Sequence, residues 1–77
     1  MSLQLLAHYR TFDQSEFDAH AESRGQAGLT LLQRWKAEDG SQWALFSVND
    51  QAKAADWLDR EGALDHGPST HHFLRTV

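Results

Sequence analysis

Cysteine is absent from this 77-residue chain. That excludes a disulfide framework, a thiolate nucleophile and any cysteine-based zinc site. Positive charge is also scarce: seven Lys and Arg stand against eleven Asp and Glu, a net charge of −4. Non-specific nucleic-acid binding needs a basic field, so none is expected. No run approaches the ~18 apolar residues of a membrane span. The N-terminus has no basic stretch followed by an apolar one, so no signal peptide is expected and the cytoplasm is the expected compartment. Gly25 and Gly28 are isolated and make no phosphate loop. Ser23, Ser41, Ser47 and Ser69 lack a nucleophile-elbow context. Repeats and low-complexity segments are missing too.

What is present is a hydrophobic content of 40% with three Trp, enough for a folded globule. Residues 1–77 are read as a single domain. So short a chain hides only about 60–65% of its unfolded surface, and without a disulfide or metal the usual remaining support is oligomerisation.

Leu29 to Val48, LTLLQRWKAEDGSQWALFSV, organises the chain. Asp39-Gly40 is the kind of dipeptide that closes a two-residue hairpin. With Glu38 and Ser41 flanking it, Lys36 falls opposite Trp43, Trp35 opposite Ala44, Arg34 opposite Leu45, Gln33 opposite Phe46 and Leu31 opposite Val48. Paired residues share a face. Leu29, Leu31, Gln33, Trp35, Ala44, Phe46 and Val48 then form a core surface. Thr30, Leu32, Arg34, Lys36, Trp43, Leu45 and Ser47 form a second face, half apolar and half cationic.

The flanking segments complete the pattern. Leu3 to Arg10 alternates as a strand, with Leu3, Leu5, Ala7 and Tyr9 on one side and Gln4, Leu6, His8 and Arg10 on the other. Asp13 is a helix cap with Glu16 three residues on, and Phe12 and Phe17 occupy hydrophobic-staple positions. That helix is expected over Gln14–Arg24, stopped by Gly25. Asn49 or Asp50 caps a second helix, Gln51–Glu61, whose stripe is Ala54, Trp57 and Leu58. Thr70–Thr76 reads as a last strand, with His71, Phe73 and Arg75 on one side and His72, Leu74 and Thr76 on the other. Eight of the eleven acids lie in the helical segments and four of the seven basic residues in the strands, so acidic helices and a cationic sheet are expected.

The order β-α-β-β-α-β, with right-handed crossovers, predicts an α+β, ferredoxin-like fold: a four-stranded antiparallel sheet with both helices on one face. Leu6, Leu32, Trp43 and Leu45 would then be exposed on the other face. Soluble proteins avoid such patches unless they are interfaces. Two sheets packed face to face in a homodimer would bury them.

Over nearly its whole length the chain resembles the dimeric α+β barrel superfamily, in particular its small bacterial domains of unknown function, distantly related to antibiotic-biosynthesis-type monooxygenases. The strand Leu3–Tyr9, the segment Leu29–Trp35, the run Trp43–Phe46 leading to Asn49-Asp50, the helix carrying Trp57-Leu58 and the final strand carry the resemblance. It implies a homodimer with a cavity between sheet and helices or between the two sheets. The haem-degrading relatives use an Asn on the first strand, a Trp on the third and a His on the second helix. Trp43 matches the Trp, but the first strand offers His8 and Gln51–Glu61 holds no His. No cofactor is therefore expected.

Two constellations carry candidate chemistry. His8, Arg10, Arg34 and Trp43, with His72 if the last strand turns that side inward, would bind an anionic or aromatic small molecule on the cationic sheet face. Alternatively, His8 or His72 would serve as base and Arg34 would stabilise an oxyanion, in cofactor-independent oxygenation or isomerisation of an aromatic or lactone substrate. A third reading is a structural or protein-interaction module without a ligand. The other constellation, His66, His71 and His72 beside Asp65, resembles a metal set. Adjacent strand residues point to opposite faces, so His71 and His72 do not share an ion and no metal is expected. Trp35 and Trp57 are expected in the core, Tyr9 is expected to pack on the helix side, and His20 is expected at a boundary.

Overall fold

The structure is a computed structural model that describes residues 2–64 and 67–77. Four strands form one antiparallel sheet: β1 (Leu3–Tyr9), β2 (Leu29–Lys36), β3 (Gln42–Val48) and β4 (Thr70–Arg75), in the spatial order β2-β3-β1-β4. Three helices, α1 (Gln14–Ala19), α2 (Ala21–Gln26) and α3 (Gln51–Ala63), complete an α+β, ferredoxin-like arrangement. Among the described residues, no helix is long and apolar enough to cross a membrane.

Helices α1 and α3 begin where the sequence supplies a side-chain acceptor. Asp13 accepts from the amides of Ser15 and Glu16, and its flanking Phe12 and Phe17 rings meet at 5.2 Å, closing the staple. Asp50 accepts from the Lys53 amide at the start of α3. The first helical segment differs from the single helix expected: it breaks at His20, whose φ and ψ of −96° and 8° leave the helical region. The His20 ring Nδ1 lies 2.8 Å from the Glu16 carbonyl oxygen, which also accepts the His20 amide at 3.2 Å, so backbone and ring share one acceptor at the break. Gly25 does not stop the segment, which continues to Gln26. The reversal falls instead at Gly28, with φ +77°. A Cβ there would come within 3.3 Å of the Asn49 side chain, so glycine suits this close approach on both counts. Gly62 lies inside α3 and does not end it.

The core lies between the sheet and the helices. Leu5, Ala7 and Tyr9 of β1, Leu29 of β2, and Ala44 and Phe46 of β3 pack with Phe17, Ala27, Ala54, Trp57 and Leu58. The expected burial of Trp57, and of Tyr9 on the helix side, holds.

The hairpin departs from expectation in a way that moves the candidate site. Its loop is three residues, Glu38-Asp39-Gly40, and not two: the Ala37 amide donates to the Ser41 carbonyl, and the Gly40 amide to the Ala37 carbonyl. Gly40 takes φ +90°, as the last position of such loops requires. Asp39 fixes the exit by accepting from both the amide and the hydroxyl of Ser41, at 2.9 and 2.6 Å. These bonds, the hydroxyl's first, hold its carboxyl below the usual carboxylate range.

The extra loop residue slips the register by one. Trp35 faces Trp43, Arg34 faces Ala44 and Gln33 faces Leu45. A one-residue slip sends every side chain to the other side. Arg34 and Lys36 therefore turn toward the helices, and Gln33 and Trp35 toward the uncovered face. Trp35, expected in the core, is 47% exposed. A bulge between Leu31 and Gln33 then shifts the pairing again, so that Leu29 faces Val48 and Leu31 faces Phe46. Below the bulge these residues keep the side expected of them.

Candidate functional site

The uncovered side of the sheet can be read from the ladders. β1 presents Gln4, Leu6 and His8, which pair with Ser47, Leu45 and Trp43 of β3. On the other flank the same three residues pair with Leu74, His72 and Thr70 of β4. This settles the last strand: His72 and Leu74 share the uncovered side, while Phe73 packs against the core on the other. β2 adds Thr30, Gln33 and Trp35, together with Leu32 at the bulge, half exposed. Leu6, Leu32, Trp43 and Leu45, the expected interface residues, thus lie on one face, and Trp35 and Leu74 join them.

His8, Trp43 and His72 are brought together on this face. The His8 and Trp43 rings lie 4.2 Å apart with a 31° tilt, a near-parallel platform on the two central strands. His72 lies across from Leu6, diagonal to His8.

Arg34 is not with them, which corrects the expected cationic sheet face. Its guanidinium lies 4.8 Å from the Phe12 ring centroid and 5.0 Å from that of Phe17, and its Nη2 donates to Gln14 and Gln42 at 2.9 Å each. It ties β2 to α1 and β3. Arg10 follows the end of β1, where its amide donates to the Ser69 hydroxyl. The sheet positions on the uncovered side therefore carry no Asp, Glu, Lys or Arg. With Arg34 across the sheet from His8 and His72, the base and oxyanion partner expected of an oxygenase or isomerase do not converge.

His71 pairs with Ala7 and His72 with Leu6, so the two imidazoles point to opposite sides, as strand geometry requires. His66 and Asp65, the remaining members of that constellation, lie outside the described residues. Among the described residues no group of three or more His, Cys, Asp or Glu is placed to hold an ion.

Sequence reasoning missed a second cluster, beneath the helices at the end of β1. Arg24 is 7% exposed. Its guanidinium carbon sits 3.8 Å over the Phe17 ring, and its Nη1 donates to the Phe17 carbonyl at 2.7 Å. Burial is the largest influence on it and lowers its pKa. Tyr9 stands edge-on to Phe12 and Phe17. Burial pushes its hydroxyl pKa up, partly opposed by the fields of Arg24 and Arg34. His20 Nε2 lies 3.9 Å from a Glu61 carboxylate oxygen, and Glu61 is itself buried. A basic residue one position before a glycine reads as a helix end facing solvent, which is why Arg24 gave no signal.

Compared with protein-family models, with curated proteins and with solved structures, the chain matches none.

Proposed function

We propose that the protein acts as a homodimer whose uncovered sheet faces pack together and hold an aromatic small molecule against His8 and Trp43. One observation carries this reading. The sheet face left bare by the helices sets Leu6, Trp35, Trp43, Leu45 and Leu74 among neutral polar residues, and its strand positions bear no permanently charged residue. In a two-fold dimer each residue meets the same surface on its partner. A chain of net charge −4 pairs with itself at least electrostatic cost where it carries no charge. The resemblance to the dimeric α+β barrels points the same way. The tilted imidazole and indole supply a flat surface for a planar ring, with His72 as an adjacent hydrogen-bonding group. The anionic half of the expected recognition has no support on this face once Arg34 is turned away.

Native mass spectrometry of the untagged protein as purified tests both parts. A dimer carrying a small-molecule adduct is expected. A dimer that stays free of adduct when offered planar aromatic compounds would reduce the proposal to a structural pairing. A monomer at micromolar concentration would overturn it.

A further inference from the structure

On the opposite side of the sheet from the proposed interface, a cavity of about 400 Å³ opens beside Arg24, walled by Tyr9, Phe12, Phe17 and Trp57. Those four rings form one wall, and the rest of the lining is largely polar, with Thr11, Asp13, Glu16 and Ser69 among it. Its polar groups converge on one end of β1 and the α1–α2 break, where His20 also borders the space. Concave sites where a few polar groups converge beside aromatic side chains are where small molecules bind.

The charge arrangement narrows the ligand. A guanidinium offers five N–H donors, and the only hydrogen bond the Arg24 side chain makes among the described residues goes to the Phe17 carbonyl. No carboxylate among them pairs with it. Its remaining donors are left for an acceptor in the cavity that Arg24 lines, and an anion makes the strongest one. The Arg34 guanidinium lies 5.0 Å from the same Phe17 ring, and its Nε is buried without a partner. Two guanidiniums and the one buried carboxylate of Glu61 thus act on Tyr9 at the cavity wall, leaving an excess of positive charge there among the described residues. Asp13 and Glu16 line the rim of the same cavity. Asp13 is occupied as the α1 cap, while Glu16 is exposed. An acidic rim above a cationic floor disfavours phosphates and polycarboxylates and admits a single negative charge.

We infer that this cavity binds a small organic monocarboxylate with an aromatic or apolar body, its carboxylate on Arg24 and its body against Phe12 and Trp57. A planar carboxylate accepts two parallel bonds from a guanidinium, and the Tyr9 hydroxyl, which makes no hydrogen bond among the described residues, is available as a further donor. The site is independent of the paired-sheet proposal, since it lies on the helix side and uses none of the same residues.

The test is a titration of the ¹⁵N-labelled full chain with phenylacetate, set beside its neutral counterpart phenylacetamide. The indole N–H of Trp57, which donates to the Ser23 hydroxyl at 2.7 Å, and the Arg24 Nε–H report on the cavity. Trp35 and Trp43 report on the sheet face. Phenylacetate is expected to shift the Trp57 and Arg24 signals saturably, and phenylacetamide to bind at least about tenfold more weakly. Arg24→Met keeps the apolar stem over Phe17 and is expected to lose at least about tenfold in affinity. Should that variant fail to fold, the acid and amide on the unaltered chain decide the matter alone. No saturable shift at Trp57 up to about 10 mM phenylacetate, or an equal response to the amide, would overturn the inference. A response confined to Trp35 and Trp43 would do the same.

Discussion

Replacing Leu45 with lysine is expected to turn the proposed dimer into a monomer without unfolding the chain. Leu45 sits on β3, one of the two central strands, with Leu6 on one side and Gln33 on the other. It is partly exposed in the isolated chain, so a lysine there can lay its stem along the sheet and keep its ammonium in water. Between two paired sheets that ammonium loses its solvent. The residual penalty of burying an unpaired charge is several kcal/mol, and two-fold symmetry imposes it twice. Dimer dissociation is expected to rise by at least about 100-fold, with the far-ultraviolet circular dichroism unchanged. Sedimentation across a range of concentrations reads the result. A variant that remains as dimeric as the parent would place the interface elsewhere. The same substitution at Glu22, exposed on α2, is the control and should leave association intact.

Phe46→Ala is expected to be the most damaging single change to the fold itself. Phe46 is fully buried on β3 and pairs with Leu5 and Leu31 on its two flanks. Its ring stacks on Phe17 at 6.4 Å, one of the contacts, with Tyr9 and Arg34, through which the sheet holds α1. Truncating a buried Phe costs about 3–5 kcal/mol. A chain of this length has only about 4–11 kcal/mol of total stability. Urea unfolding should show a third or more of that stability lost, or no cooperative transition at all. A loss below about 1 kcal/mol would mean that the helices do not close over this face. The two substitutions lie on adjacent residues of one strand and point opposite ways, so their contrast also tests the pleat.

The sequence and the structure agree where the signal is local. Strand β1 is legible from its alternation, and the start of α1 from Phe12, Asp13 and Phe17, because cap and staple are contacts within six residues. They part where a distant contact decides. Hydrophobicity alone prefers Trp35 inside and Arg34 outside. The opposite holds because the Arg34 guanidinium lies against Phe12 and Phe17 and bonds to Gln14 and Gln42, partners that no local pattern identifies. The Asp39-Gly40 pair marks the turn but leaves its length open between two residues and three, and that one residue decides which side of the sheet carries the cation. The candidate site was legible to the same extent. His8 and Trp43 follow from alternation within β1 and β3, whereas the side taken by His72 was left open and is decided by the β1–β4 register. Arg34 leaves the group with the register. Arg24 could not be found, since its burial depends on a helix break at His20 and on a ring seven residues earlier in the chain.

The central claim, that two copies meet through their uncovered sheets, is tested most directly by an isotope-filtered nuclear Overhauser experiment on a mixture of labelled and unlabelled chains. It detects only contacts between protomers. Cross-peaks linking the Trp43 and Trp35 rings to the methyl groups of Leu6, Leu45 and Leu74 are predicted. Intermolecular cross-peaks from α2 or α3 instead, or none at concentrations where the chain is monomeric, would contradict the account.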